Sequence, residues 1–93
     1  MKKLKVAIAG YGVVGKRRHF YIDQHPKMNV VAVCDKVFKS EKPNRNKKLN
    51  YFINYKEMLE REKIDVLFVC LTNNIAAEVT IAGLSKGMHV FCE

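Results

Sequence analysis

Val6-Ala7-Ile8-Ala9-Gly10-Tyr11-Gly12-Val13-Val14-Gly15 is the stretch that decides the fold of this chain. A short β-branched and apolar run feeds straight into a G-x-G-x-x-G, and Asp35 closes a second apolar run 20 residues after Gly15. Each glycine has a mechanical reason to be there. Gly10 lets the chain turn sharply off a strand, Gly12 lets backbone N–H groups approach a pyrophosphate, and Gly15 lets the following helix pack close to the sheet. The phosphate charge would then sit at the positive end of that helix. Asp35, at the end of the second strand, would accept hydrogen bonds from the hydroxyls of an adenosine ribose. Three glycines that merely shaped a tight turn would leave the placement of Asp35 to chance. The expected site therefore includes Gly10, Tyr11, Gly12, Val13, Val14 and Gly15, with Asp35 and its neighbour Lys36 at the ribose.

Ninety-three residues make one domain at most, so residues 1–93 are read as a single dinucleotide-binding unit. Hydrophobic content of 48% and charged content of 28% are ordinary for a globular chain, and no apolar run approaches the length of a membrane span. The opening Met1-Lys2-Lys3-Leu4-Lys5 is followed by Gly10, Gly12 and then Lys16-Arg17-Arg18, which is not a signal segment; a cytoplasmic protein without a membrane partner is expected. Cys34, Cys70 and Cys92 lie in apolar strand-like runs with no C-x-x-C, and are expected to be reduced, buried thiols. With His19, His25 and His89 equally scattered, no metal site is expected.

The net charge of +8 is concentrated after Asp35, where Lys36, Lys39, Lys42, Arg45, Lys47 and Lys48 face Glu41 alone. Charge without a nucleic-acid motif reads as a solvated, lysine-rich loop, and no nucleic-acid partner is expected. Lys36 or Lys39 would, however, be placed to neutralise a 2'-phosphate. NAD is the expected cofactor because a carboxylate repels that phosphate; NADP is the alternative.

Taken in order, Lys5 to Ala9 predicts a first strand and Val13 to about Gln24 a helix with Gly15, His19 and Ile22 on one face. His25-Pro26 ends it. Val30 to Cys34 predicts the second strand, Tyr51 to Ile53 a third, and Asn54 with Glu57 a capping-box start for a helix to about Glu62. Any helix between Lys36 and Asn50 should be short. Val66 to Leu71 predicts a central strand buried on both faces. Ile75 to Lys86 predicts a helix with Ile75, Val79 and Ala82 inward and Gly87 as its C-cap, and His89 to Cys92 a fifth strand. Strand and helix in alternation imply an α/β, doubly wound parallel sheet of strand order 3-2-1-4-5. Val90-Phe91-Cys92 would be an apolar edge, so the chain reads as the front of a longer protein.

The second half carries a more specific pattern: Ile64-Asp65-Val66-Leu67-Phe68-Val69, then Asn73, then Ala77 to Glu93 with Gly87-Met88-His89-Val90 inside it. With the glycine motif, His19 and Asp35, it resembles the Rossmann domain of the Gfo/Idh/MocA oxidoreductases. The resemblance covers essentially the whole chain. It implies that Glu93 is the first residue of a Glu-Lys-Pro motif whose lysine assists proton and hydride transfer. It also implies a sixth strand and a C-terminal domain carrying substrate contacts and an oligomer interface. No catalytic residue is then expected within these 93 residues. Leu71, Thr72, Asn73 and Glu93 should approach the nicotinamide half. Two positions depart from the family: its usual Thr-Pro-Asn reads Leu71-Thr72-Asn73 here, and the histidine three residues beyond the asparagine is Ala76. The expected function is the cofactor-binding part of an oxidoreductase acting on a sugar, cyclitol or nucleotide sugar, homo-oligomeric at full length. The alternative is a non-catalytic NAD-binding sensor.

Overall fold

Five strands, each preceded or followed by a helical segment, pair side by side and all parallel in the order 3-2-1-4-5. The computed structural model describes residues 2–40 and 48–93; the expected basic positions Lys42, Arg45 and Lys47, with Glu41, lie outside the described residues. Strand β1 is Leu4–Ala9, helix α1 Val13–Asp23 and strand β2 Met28–Cys34. A single 3-10 turn, Lys36–Lys39, follows. Strand β3 is Asn50–Phe52, helix α2 Tyr55–Arg61, strand β4 Val66–Val69, helix α3 Asn73–Ser85 and strand β5 His89–Cys92. Among the described residues, no helix is long and apolar enough to cross a membrane.

Alternation along β1 divides the core in two. Val6 and Ile8 join Val30, Val33 and Ile22 of α1 on one face. Ala7 and Ala9 join Leu67, Val69, Met58 of α2 and Val79 of α3 on the other. All four β1 residues are fully buried, as a strand with neighbours and helices on both sides requires. Between Val6 and Ala7 the register with β2 shifts by one residue, so Val31 has no partner in the ladder. The shift is a bulge, and Val31 turns toward the same face as Ala32.

Several sequence expectations move by a residue or two, each for a physical reason. Strand β3 begins at Asn50 and ends at Phe52; Ile53 turns out of the sheet and is 48% exposed. Strand β4 stops at Val69, because its neighbours stop opposite it at Ala9 and Cys92, and Cys70 and Leu71 leave the ladder. It is not buried on both faces throughout, since Phe68 is half-buried against Phe91. Helix α3 begins two residues earlier than predicted, and its inward face is Ala76, Val79 and Gly83, with Ala82 packed against the core as expected and Ile75 turned out. A Cβ on Gly83 would lie 2.7 Å from Leu67 Cδ2 and 3.1 Å from Val90 Cγ2, so the missing side chain lets this helix settle onto β4 and β5. Asn54 caps α2 through Lys56 N–H (2.8 Å), whereas Glu57 faces Arg61 (3.8 Å) instead of closing a capping box. The C-cap of α3 is Lys86, and Gly87, expected as that cap, follows it at φ +80° and turns the chain out of the helix. Of the three thiols, Cys34 is buried, Cys70 half-buried and Cys92 exposed, the last because β5 pairs with β4 on one side only.

Candidate dinucleotide-binding site

The carboxyl ends of the strands are stitched into one continuous rim. Asp35 N–H donates to Phe52 O (3.0 Å), Gly10 N–H to Cys34 O (2.9 Å), Cys70 N–H to Ala9 O (2.8 Å) and Glu93 N–H to Val69 O (3.1 Å). One bond crosses each strand pair. Gly10, Asp35, Cys70 and Glu93 therefore lie along a single edge. The chain winds from β1 to β3 in one direction and resumes beyond β1 at β4, so the crevice between β1 and β4 is the topological switch point.

The glycine turn is shaped at that edge by sterics. Gly10 has φ +93°, and a Cβ there would meet Cys70 O at 2.4 Å. A Cβ on Gly15 would lie 2.1 Å from Gly10 O, which is how close α1 runs to the turn. Gly12 differs. It occupies the N-cap of α1, and a Cβ there meets nothing within 4 Å among the described residues. Above Gly12 the first turn of α1 has no side-chain cap and no acidic residue. Exposed Val13 and Val14 follow, so the first-turn amide N–H groups, which have no carbonyl partner within the helix, lie beside the space at Gly12, an arrangement suited to an anionic group.

Asp35 ties this turn to the second strand. One carboxylate oxygen, Oδ2, accepts from Tyr11 N–H at 2.8 Å, and Oδ1 accepts from Val37 N–H at 3.0 Å, capping the 3-10 turn. The half-buried Tyr11 ring is fixed as well. Its hydroxyl lies 2.6 Å from His19 Nδ1, and His19 Nε2 lies 2.9 Å from Asp23 Oδ2. Burial raises the Tyr11 hydroxyl above its ordinary value, with Tyr51 and Asp23 adding to the effect. Phe38 packs at 6.1 Å from the Tyr11 ring, so the glycine turn and the segment after Asp35 buttress each other.

A pocket of about 590 Å³ opens beside this junction. Three expected site residues, Asp35, Lys36 and Leu71, line it. Tyr11 and the glycine turn adjoin it through Asp35. Thr72 is the N-cap of α3, with φ −98°, a value outside the range of the proline usual in the resembled family, and without a side-chain cap bond. Asn73 is the first residue of α3. Glu93, at the far end of the rim, forms an ion pair with Arg18 of α1. Ala76 is buried in the core beneath α3, so this position contributes packing.

Sequence reasoning missed seven further lining residues: Cys34 and Asn54, which it read as a core thiol and a helix cap, and Ile53, Tyr55, Lys56, Ile75 and Glu78. A signal for two of them exists. Ile75 and Glu78 are three apart on a stripe rotated from Ala76, Val79 and Gly83, so an apolar residue off the core stripe marks a second surface. The Tyr55 hydroxyl donates to Glu78 Oε2, and this bond pushes the tyrosine up to about 12. Cys34, at the pocket floor, is pushed up to about 11 by burial. Cys70 is raised by burial and then by Glu93.

A parallel doubly wound sheet with an open glycine cradle at its switch point and a carboxylate at the end of the second strand defines the class of dinucleotide-binding Rossmann domains. The profile of the Gfo/Idh/MocA oxidoreductase family, described as an NAD-binding Rossmann fold, matches residues 4–93. The chain belongs to this family, as its NAD-binding Rossmann domain. It is 34% identical over 93 residues to D-glucoside 3-dehydrogenase of Escherichia coli K12, covering 97% of this chain and 26% of that protein. Among solved structures, myo-inositol 2-dehydrogenase of Lactobacillus plantarum superposes with a TM-score of 0.78 at 28% identity, over 98% of this chain and 28% of that one. An NAD-binding protein of Listeria innocua superposes with a TM-score of 0.83 at 27% identity, over 98% and 27%. The chain thus spans about a quarter of the length of these relatives.

Proposed function

We propose that residues 1–93 form the cofactor domain of an NAD-dependent oxidoreductase that moves hydride to or from a hydroxyl or ketone of a sugar or cyclitol. The dehydrogenases it resembles are named for a glucoside and for inositol, which supports that substrate class. The observation that carries the cofactor reading is the Asp35 bridge. Its carboxylate holds the glycine turn through Tyr11 N–H and at the same time lines the pocket, where each oxygen keeps acceptor capacity for a ribose hydroxyl.

In this reading Gly10, Gly12 and Gly15, with Tyr11, Val13 and Val14, shape and line the pyrophosphate cradle. Asp35 and Lys36 flank the ribose and Thr72, Asn73 and Glu93 lie toward the nicotinamide half, while Leu71, expected with them, lines the pocket on the Asp35 side. The nicotinamide supplies hydride chemistry when bound; the residues of this chain orient it. NAD is favoured over NADP because an Asp35 carboxylate close to a 2'-phosphate costs more than exposed, solvated Lys36 returns.

Calorimetric titration of the chain with NADH and NADPH tests the reading. NADH should bind more tightly at physiological salt, and Asp35→Ala should weaken it by about 1.5–3 kcal/mol, as expected for a hydrogen bond to a charged group. An unchanged NADH affinity in that variant, or equal affinity for the two cofactors, would overturn the assignment.

A further inference from the structure

Two isoleucines are more exposed than the core would explain. Ile53 (48%) follows β3 and Ile75 (43%) lies in the first turn of α3, and both line the pocket that Asp35 enters, with half-buried Leu71 beside them. Apolar walls of this kind lose water when a flat ring slides between them. The polar groups above these walls are few. Asn54 Oδ1 is already engaged by Lys56 N–H and its Nδ2 only donates, as do the exposed Lys36 and Lys56 ammonium groups, and Asp35 serves the ribose. That leaves Glu78 and Tyr55, which join α3 to the start of α2 across the pocket.

We propose that the Glu78 carboxylate, oriented by the Tyr55 hydroxyl, is the specificity determinant for the base of the dinucleotide, accepting a hydrogen bond from the exocyclic amino group of adenine. This rests on the dinucleotide reading above. Glu78 Oε2 takes the tyrosine proton, and among the described residues Oε1 has no partner. An ionised carboxylate only accepts, and the amino group is the only N–H donor of a glycosylated adenine. Tyr55 stays protonated through the physiological range, so it remains a donor and fixes the carboxylate without competing for the base. Replacing the amino group by a carbonyl sets a lone pair against the carboxylate at the same point. A site built to hydrogen-bond a donor rejects an analogue that lacks it.

The experiment is a comparison of dissociation constants for NADH and reduced nicotinamide hypoxanthine dinucleotide, by calorimetry on the chain and two variants. Wild type should prefer the adenine form by at least tenfold. In Glu78→Gln, whose amide can present either a donor or an acceptor, the preference should fall below threefold, mostly through weaker NADH binding. Tyr55→Phe should give an intermediate preference, because the carboxylate remains but loses its anchor. A purely structural role for the pair would weaken both ligands equally and leave the ratio unchanged; that result overturns the proposal, as does a wild type with no preference. Failure to bind either dinucleotide would instead remove the cofactor reading on which it stands.

Discussion

Gly10, Gly12 and Gly15 share one motif and have different jobs. A side chain at Gly12 enters open space at φ −85°, an ordinary backbone value. Gly12→Val should therefore leave thermal unfolding nearly unchanged and abolish NADH binding, because its methyl groups fill the cradle. Gly10→Ala and Gly15→Ala should do the reverse damage, meeting backbone oxygens at 2.4 and 2.1 Å, and lower stability by at least the roughly 1–3 kcal/mol typical of overpacking. Wild-type affinity in a folded Gly12→Val protein would end the cradle assignment. The thiols give a second reading at this scale. At pH 8 a thiol reagent should label exposed Cys92 first and buried Cys34 last. For Cys34 the folded value is raised from 9.0 to about 11, so the native state holds the proton more tightly than the unfolded chain. The resulting stabilisation is complete below about pH 9 and is lost as pH rises through about 11. Urea unfolding of wild type and Cys34→Ala should show it. The stability difference between them should be constant from pH 7 to 8.5 and shrink by pH 10.5; a flat difference across that range would contradict the burial argument.

Elements were legible where their signal was repeated and illegible where it depended on a neighbour. Strands β1, β2 and β5 and helix α1 follow from apolar runs and from punctuation by glycine and proline, and the order of the sheet follows from alternation. The glycine turn and Asp35 were readable because motif chemistry fixes both residue type and spacing. The end of β4 was not readable, since Cys70 and Leu71 are as apolar as the strand itself; what stops the ladder is the length of β1 and β5. On the inward face of α3, Val79 and Ala82 pack as expected and Ile75 was misjudged for a related reason. Size made Ile75 look like a core residue, yet Ala76 and Gly83 face the sheet because a small contact lets the helix approach. That close approach is testable. Gly83→Val should gain some helix propensity but press branched methyls onto Leu67 and Val90, for a net loss of about 1–3 kcal/mol in denaturant unfolding. A neutral or stabilising result would show that α3 can lift from β4 and β5 at little cost. The pairing of Tyr55 with Glu78 was invisible in the sequence because the two meet only through the fold, 23 residues apart.

At the scale of the whole molecule, two surfaces oppose each other. A net charge of +8 keeps copies of the chain apart in solution. Against it stands β5, an outer strand in this sheet, whose Phe91 is 60% exposed and stacks on Phe68 with ring centroids 5.1 Å apart. An apolar strand with free backbone groups pairs readily with another chain. Salt screens the repulsion over roughly 10 Å at 0.1 M and leaves the apolar contact in place, so association of the 93-residue chain should grow with both protein concentration and ionic strength. Phe91→Lys adds a charge at the centre of this edge and removes the stacked ring, the device natural sheets use to blunt an exposed strand. Sedimentation velocity at low and high salt decides the matter. Wild type should shift to larger species as salt rises, and Phe91→Lys should stay monomeric under the same conditions. Salt-dependent association that survives in the variant would place the sticky surface elsewhere, on the outer side of α3 where Ile81 and Leu84 are exposed.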